Sequence, residues 1–163
     1  MFAAKPWLVC PLTTDYAHFQ SRLEEFSPKA PPPEVRPEPE ETIESGTCIG
    51  AALKLAVLSH DPRYATLELG APRYQDILLL SDGDGPGVES EAKAGVRFAI
   101  EKQVPVHCVG VGNPKLTTEL DLGTPDSPEF VETRLQEALL QEIATRTHGE
   151  YLTTYCDIPP LGT

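Results

Sequence analysis

The chain has 163 residues, the length of one ordinary domain, and 17 of them are proline, about twice the usual share of ~5%. Thirteen basic residues against 25 acidic ones give a formal charge of −12. A surface that acidic repels phosphate backbones and anionic lipid, which disfavours nucleic-acid and membrane-surface binding. No apolar run approaches the ~18–20 residues of a membrane span, and the composition does not fit a collagen, a coiled coil or a small disulfide scaffold.

Met1–Cys10 (MFAAKPWLVC) does not read as a targeting segment, because only four apolar residues separate Pro6 from the proline at position 11. Cys10, Cys48, Cys108 and Cys156 lie far apart without a CxxC pair, so they read as small buried side chains rather than zinc or redox groups. Residues 6–11 (PWLVCP) are a short apolar run between prolines and predict an edge strand. Thr14 and Asp15 offer capping oxygens for a helix whose apolar stripe is Tyr16, Phe19, Leu23 and Phe26. The segment 27–45 carries six prolines and five glutamates and predicts an extended, solvated surface loop inside a single domain spanning 1–163.

Gly46 and Thr47 open a second helix with Ile49, Leu53, Ala56 and Val57 on one face, followed by an irregular stretch over 60–74. Residues 76–80 (DILLL) are apolar without alternation, as in a parallel strand covered on both faces. They run into the glycine-rich turn 81–87 (SDGDGPG). Ala92, Val96, Ala99 and Ile100 mark a third helix, and 104–111 (VPVHCVGV) a second buried strand. A polar loop over 113–130 precedes a last helix marked by Leu135, Leu139 and Ile143, with Gly149 as its expected C′ residue and strand formers at 150–155. Strand, helix, strand, helix, strand from residue 76 onward predicts an α/β fold, a Rossmann-like, doubly wound and mostly parallel sheet.

In such a sheet, ligands bind at the carboxyl ends of strands. Asp82 and Asp84 stand at one such end, and hard oxygen donors of this kind suit Mg²⁺ or Mn²⁺. Read by themselves they are equally well turn-forming Asp-Gly pairs. Thr47, at a helix N-terminus, either caps that helix or ligates something. His18, His60, His107 and His148 form no HExxH or triad-like cluster, and His107 reads as a packed strand histidine.

Four segments, GTCIGAALKLA (46–56), DILLLSDGDG (76–85), VPVHCVGVGNP (104–114) and LLQEIATRTHGEYL (139–152), resemble a von Willebrand factor type A domain in order and spacing. PWLVCPLTTDY (6–16) looks like the third strand and following turn of the bacterial aerotolerance-operon branch. The resemblance implies a Rossmann-like protein-binding module with a metal-ion-dependent adhesion site at the top of the sheet. It places Thr47 and Asp82 in that site and implies that the two converge. It turns Asp84 toward solvent, and leaves the free amides beside Thr47 to favour a partner's Asp or Glu carboxylate. The family's DxSxS motif has no counterpart here. The resemblance then starts where the family's second strand ends, leaving the central first strand out and the edge of DILLL unpaired. Two oxygens cannot fill six octahedral positions selectively, so the expected site is partial and Mg²⁺ binding weak or absent. Similar proteins are often anchored by flanking membrane helices; none is encoded in these residues.

An enzymatic alternative rests on LLLSDGDG (78–85), which also resembles the first motif of haloacid-dehalogenase-type phosphatases. There Asp82 would be the nucleophile and Asp84 the acid/base with Mg²⁺. Pro86 stands where that motif wants Thr, and no later acidic pair follows a strand.

Overall fold

A computed structural model describes residues 1–25, 32–35, 47–59, 75–84, 88–121 and 130–155. In chain order the elements are α1 (Tyr16–Glu24), α2 (Ile49–Ser59), β1 (Ile77–Ser81), α3 (Val88–Glu101), β2 (Val106–Gly110), β3 (Thr118–Asp121), β4 (Phe130–Thr133), α4 (Glu137–Arg146) and β5 (Tyr151–Thr153). β1, β2 and β5 form a parallel three-stranded sheet in the order β1-β2-β5, while β3 and β4 pair antiparallel as a separate hairpin. The register sets Ile77 against Val106, Leu79 against Cys108, and Cys108 against Tyr151.

That register sorts the side chains into two faces, because cross-strand neighbours project to the same side and alternate residues to opposite sides. Ile77, Leu79, Val106 and Cys108 join Ile49 and Leu53 of α2, Ala92, Val96 and Ala99 of α3, and Leu140, Ile143 and Ala144 of α4 in one apolar core. A fully buried side chain of the Leu class contributes about 1.5–3 kcal/mol by leaving water, so this layer dominates the stability. α2 and α3 touch at two glycines: a Cβ on Gly95 would overlap the backbone of Gly50, and a Cβ on Gly50 that of Glu91. Only hydrogen at both positions lets the two helices approach this closely.

On the opposite face, Leu78 is 63% exposed and Leu80 56% exposed. The uninterrupted apolar run of DILLL predicts cover on both faces. Among the described residues the core helices lie against one face only, and β1 is the edge strand of the sheet. An apolar groove of about 220 Å³ runs between this edge, α2 and the N-terminal residues Met1, Phe2, Trp7 and Leu8.

The N-terminal residues depart from the expected edge strand. Phe2 and Pro6 form one isolated antiparallel bridge, and the Trp7 amide turns back to the Met1 carbonyl at 2.9 Å. Prolines at 6 and 11 lack the amides that a continuing ladder needs. α1 forms as its spacing predicts, capped by Asp15, whose carboxylate accepts from the His18 amide at 3.0 Å. Its apolar stripe packs on nothing in the core: Tyr16, Phe19 and Leu23 are all exposed. Phe26 lies outside the described residues. Within the segment read as a solvated loop, Pro33–Val35 form a 3₁₀ turn whose Val35 is fully buried, and the Val35 carbonyl accepts from the Lys5 amide. Much of 27–45 and all of 60–74 lie outside the described residues.

The segment 113–130 holds more order than a polar loop, since β3 and β4 pair from Thr118 against Thr133 to Asp121 against Phe130. The β-formers Phe130, Val131 and Thr133 favour this pairing over a coil. α4 ends with His148, not Gly149, in the left-handed conformation (φ 62°), and the Gly149 amide reaches the Ala144 carbonyl at 2.8 Å. Thr147 holds the helix end to the sheet, its buried hydroxyl accepting from the Val106 amide and donating to the Ile143 carbonyl. His107 is a half-buried strand histidine whose Nδ1 accepts from the Glu150 amide at 3.2 Å.

Candidate functional site

β1 delivers its carboxyl end to the turn at 82–84. Gly83 adopts φ +70°, a left-handed geometry that a side chain disfavours. This tight turn folds Asp82 back over its own chain, so that Asp82 Oδ1 accepts from the Asp84 amide at 3.2 Å. The other oxygen of the same carboxylate, Oδ2, accepts from the Thr133 hydroxyl at 2.6 Å, a short bond of the charge-assisted kind. The Asp82 carbonyl accepts from the Gln136 amide at 2.7 Å. Residues 133–136, which lead from β4 into α4, are therefore stitched to the end of β1.

Asp84 departs from the expected solvent-facing position. It is half-buried, and its Oδ2 accepts from the Arg134 amide at 3.3 Å. A carboxylate two residues after Asp82 lies within reach of the Arg134 amide just past β4. The two aspartates thus hold successive residues, Thr133 and Arg134. Asp82, together with Ser81, Asn113, Thr118 and Thr133, lines a cavity of about 470 Å³ at the ends of β1 and β2. Asp84 does not line it.

Thr47 stands two residues before α2 and is half-buried; its carbonyl accepts from the Ile49 amide at 3.1 Å. It is not among the residues lining the cavity at Asp82. The amides beside it are not open to a partner's carboxylate. Gly50 and Ala51 donate to the two carboxylate oxygens of Glu91, each at 2.5 Å. Glu91 reaches across from α3 and caps α2 with charge of the sign that a helix N-terminus favours.

Thr133 and Glu91 are the residues that sequence reasoning missed. The β-formers at 130, 131 and 133 could have placed Thr133 on a strand, but nothing in sequence pairs it with Asp82. Glu91 looks like any first-turn glutamate, and its role depends on the glycine-mediated approach of two helices.

Of the cysteines, Cys108 alone is fully buried among the described residues; Cys10 and Cys48 are half-exposed, and Cys156 lies outside the described residues. Burial pushes the Cys108 thiol up to about 12 and also raises Cys48, with Glu91 adding to the latter shift. Tyr151 is raised by burial and by its hydrogen bond to Glu137. None of these groups has the depressed pKa of an activated nucleophile.

The fold and the site define a Rossmann-like α/β protein with an acidic turn at the carboxyl end of a parallel strand. No family profile matches this chain and no curated protein matches it. Among the solved structures similar to it are two bacterial proteins. The conserved hypothetical protein BatB from Bacteroides thetaiotaomicron superimposes with a TM-score of 0.66 at 26% identity, over 94% of this chain and 67% of that one. An aerotolerance-related membrane protein from Bacteroides fragilis NCTC 9343, with multiple mutations to serines, gives 0.65 at 26% identity over 94% and 69%. The chain is thus similar to BatB and aerotolerance-related proteins across nearly its whole length. Among the described residues no helix is long and apolar enough to cross a membrane.

Proposed function

We propose that this chain is a non-enzymatic protein-interaction module of von Willebrand A type that meets its partner at the carboxyl end of its parallel sheet. One observation supports the reading above the others: Asp82 stands at the end of β1 and lines an open cavity there. The similarity to BatB and the aerotolerance-related protein supports the bacterial branch of that family. In such a module the sheet is a rigid platform, and partner specificity resides in the side chains at strand ends.

The donor set does not make a self-sufficient Mg²⁺ site. Asp82 and Thr47 supply hard oxygens of the right kind, but Mg²⁺ demands six oxygens in near-octahedral order. Among the described residues there is no group of three or more His, Cys, Asp or Glu side chains placed to hold a metal. Both Asp82 oxygens already accept protein hydrogen bonds. The interaction we propose therefore runs through Asp82 and its neighbours, with any cation held weakly.

The phosphatase alternative lacks support in the geometry. Its nucleophile and its acid/base must face one pocket, whereas Asp82 lines the cavity and Asp84, engaged by the Arg134 amide, is not among the lining residues. In-cell crosslinking compared between the native chain and Asp82→Asn tests the proposal. A partner crosslinked by the native chain and lost in the variant is expected. Mg²⁺-dependent hydrolysis of a generic phosphoester, abolished by the same substitution, would overturn it.

A further inference from the structure

We propose that the Thr133–Asp82 hydrogen bond is a latch: it holds the β3–β4 hairpin across the end of β1 and keeps the Asp82 carboxylate engaged by the chain itself. The inference rests on the reading that Asp82 is a partner-contacting residue, and adds how access to it is controlled. Three contacts make the latch. The Thr133 hydroxyl donates to Asp82 Oδ2 at 2.6 Å, the Arg134 amide to Asp84 Oδ2 at 3.3 Å, and the Gln136 amide to the Asp82 carbonyl at 2.7 Å. Among the described residues the hairpin is a sheet of its own, with β3 and β4 its two strands. Phe130 is exposed, as are Thr118, Glu119 and Glu132.

A two-stranded hairpin that adds to no larger sheet is marginal in water, so polar ties to the body contribute to its position. Two of the ties go to carboxylates, which make stronger hydrogen bonds than neutral acceptors, and the shorter of the two, Thr133 to Asp82, is the strongest. Thr133 and Asp82 are also the two latch side chains that line the cavity. A partner donor that takes Asp82 Oδ2 must displace the Thr133 hydroxyl, and displacement loosens the hairpin. Conversely, a hairpin drawn away by a partner uncovers Asp82. Thr133 is in this sense a positioning residue that couples two parts of one surface.

Hydrogen exchange and carboxylate footprinting on the full chain test this. Thr133→Val should raise the exchange of amides in 118–121 and 130–133 roughly tenfold, the loss of one charge-assisted bond, with β1 and β2 unchanged. Carbodiimide labelling of Asp82 should rise in parallel. Thr133→Ser, which keeps the hydroxyl, should restore both. Asp82→Ala should loosen the hairpin to a similar degree, and the double variant no further than either single one, because both remove the same contact. Unchanged hairpin exchange in Thr133→Val, or loosening that spreads equally to β1 and β2, overturns the latch. The interaction reading fails separately, by a crosslinked partner that Asp82→Asn leaves in place, so the two failures are distinguishable.

Discussion

The two faces of the β1-β2-β5 sheet are built from nearly the same residues and have opposite fates. Leu79 is 4% exposed beneath α2 and α3, whereas Leu78, one residue earlier, is 63% exposed. Hydrophobicity does not distinguish them. The helices do: α2 and α3 close on each other at Gly50 and Gly95, α4 is held by Thr147, and together they cover one face. α1, whose stripe of Tyr16, Phe19 and Leu23 is also apolar, leaves that stripe in solvent. An amphipathic pattern therefore says that a surface wants cover, not that it receives it.

The contrast breaks most visibly at neighbouring leucines. Leu79→Ala should cost about 2–5 kcal/mol by opening a cavity in a packed core. Leu78→Ala should stay within about 0.5 kcal/mol, as surface changes do. Chemical denaturation of the pair measures the difference, and equal losses would show that the exposed face is covered in solution. Next in size, Gly95→Ala should cost about 1–3 kcal/mol, because the added methyl meets the Gly50 backbone and the helices must part. The expected signature is a lower unfolding midpoint with an unchanged slope.

Smaller again is the α2 cap. Glu91→Gln removes the charge that faces the Gly50 and Ala51 amides, and should cost about 1 kcal/mol. A loss no larger than that of Lys93→Gln, at an exposed position of the same helix, would assign the bond no energetic weight.

The covered face also has a pH signature. Burial raises the Cys108 thiol to about 12, above the ~8.5 of an unfolded cysteine. The folded state then keeps a proton that the unfolded state releases. Its contribution is fully present below about pH 8.5 and is lost progressively as pH rises toward 12, amounting to under ~1 kcal/mol at pH 9. Cys108→Ala unfolding compared at pH 7 and pH 9 checks the sign, and Cys108 should react with a thiol reagent far more slowly than Cys10. Least costly to stability is Leu80→Lys on the open face, expected to change the unfolding free energy by under about 0.5 kcal/mol while lowering the binding of a hydrophobic dye. Undiminished dye binding would locate the accessible apolar surface elsewhere, with the groove beside Trp7 the next place to look.

Much of this architecture is legible in sequence because local rules governed it. The spacings of Ile49, Leu53 and Val57 and of Ala92, Val96 and Ala99 are helical and those residues are core, as is Ile143; Leu139 packs only partly buried against the core, Ile100 is exposed, and Leu135 is buried just before α4 begins. DILLL and VHCV are strands, parallel as the intervening helix requires, and the carboxyl end of β1 carries the acidic turn as the general rule for such sheets places it. Asp15 caps α1 because an Asx oxygen three residues before an amide needs only local geometry.

What sequence could not decide is every contact made at long range. Asp82 and Thr133 are 51 residues apart, and Gly50 and Glu91 are 41 apart. No periodicity encodes such partners, since each depends on how rigid elements come together. The same holds for the burial of Val35 in a proline-rich stretch and for the hairpin in what reads as a polar loop. The sequence by itself determined which segments are helices and strands and where the acidic turn falls, because side-chain period and turn chemistry act within a few residues. Only the tertiary structure decided which face of the sheet is dry, what caps α2 and what holds Asp82, because these follow from packing geometry between elements far apart in the chain.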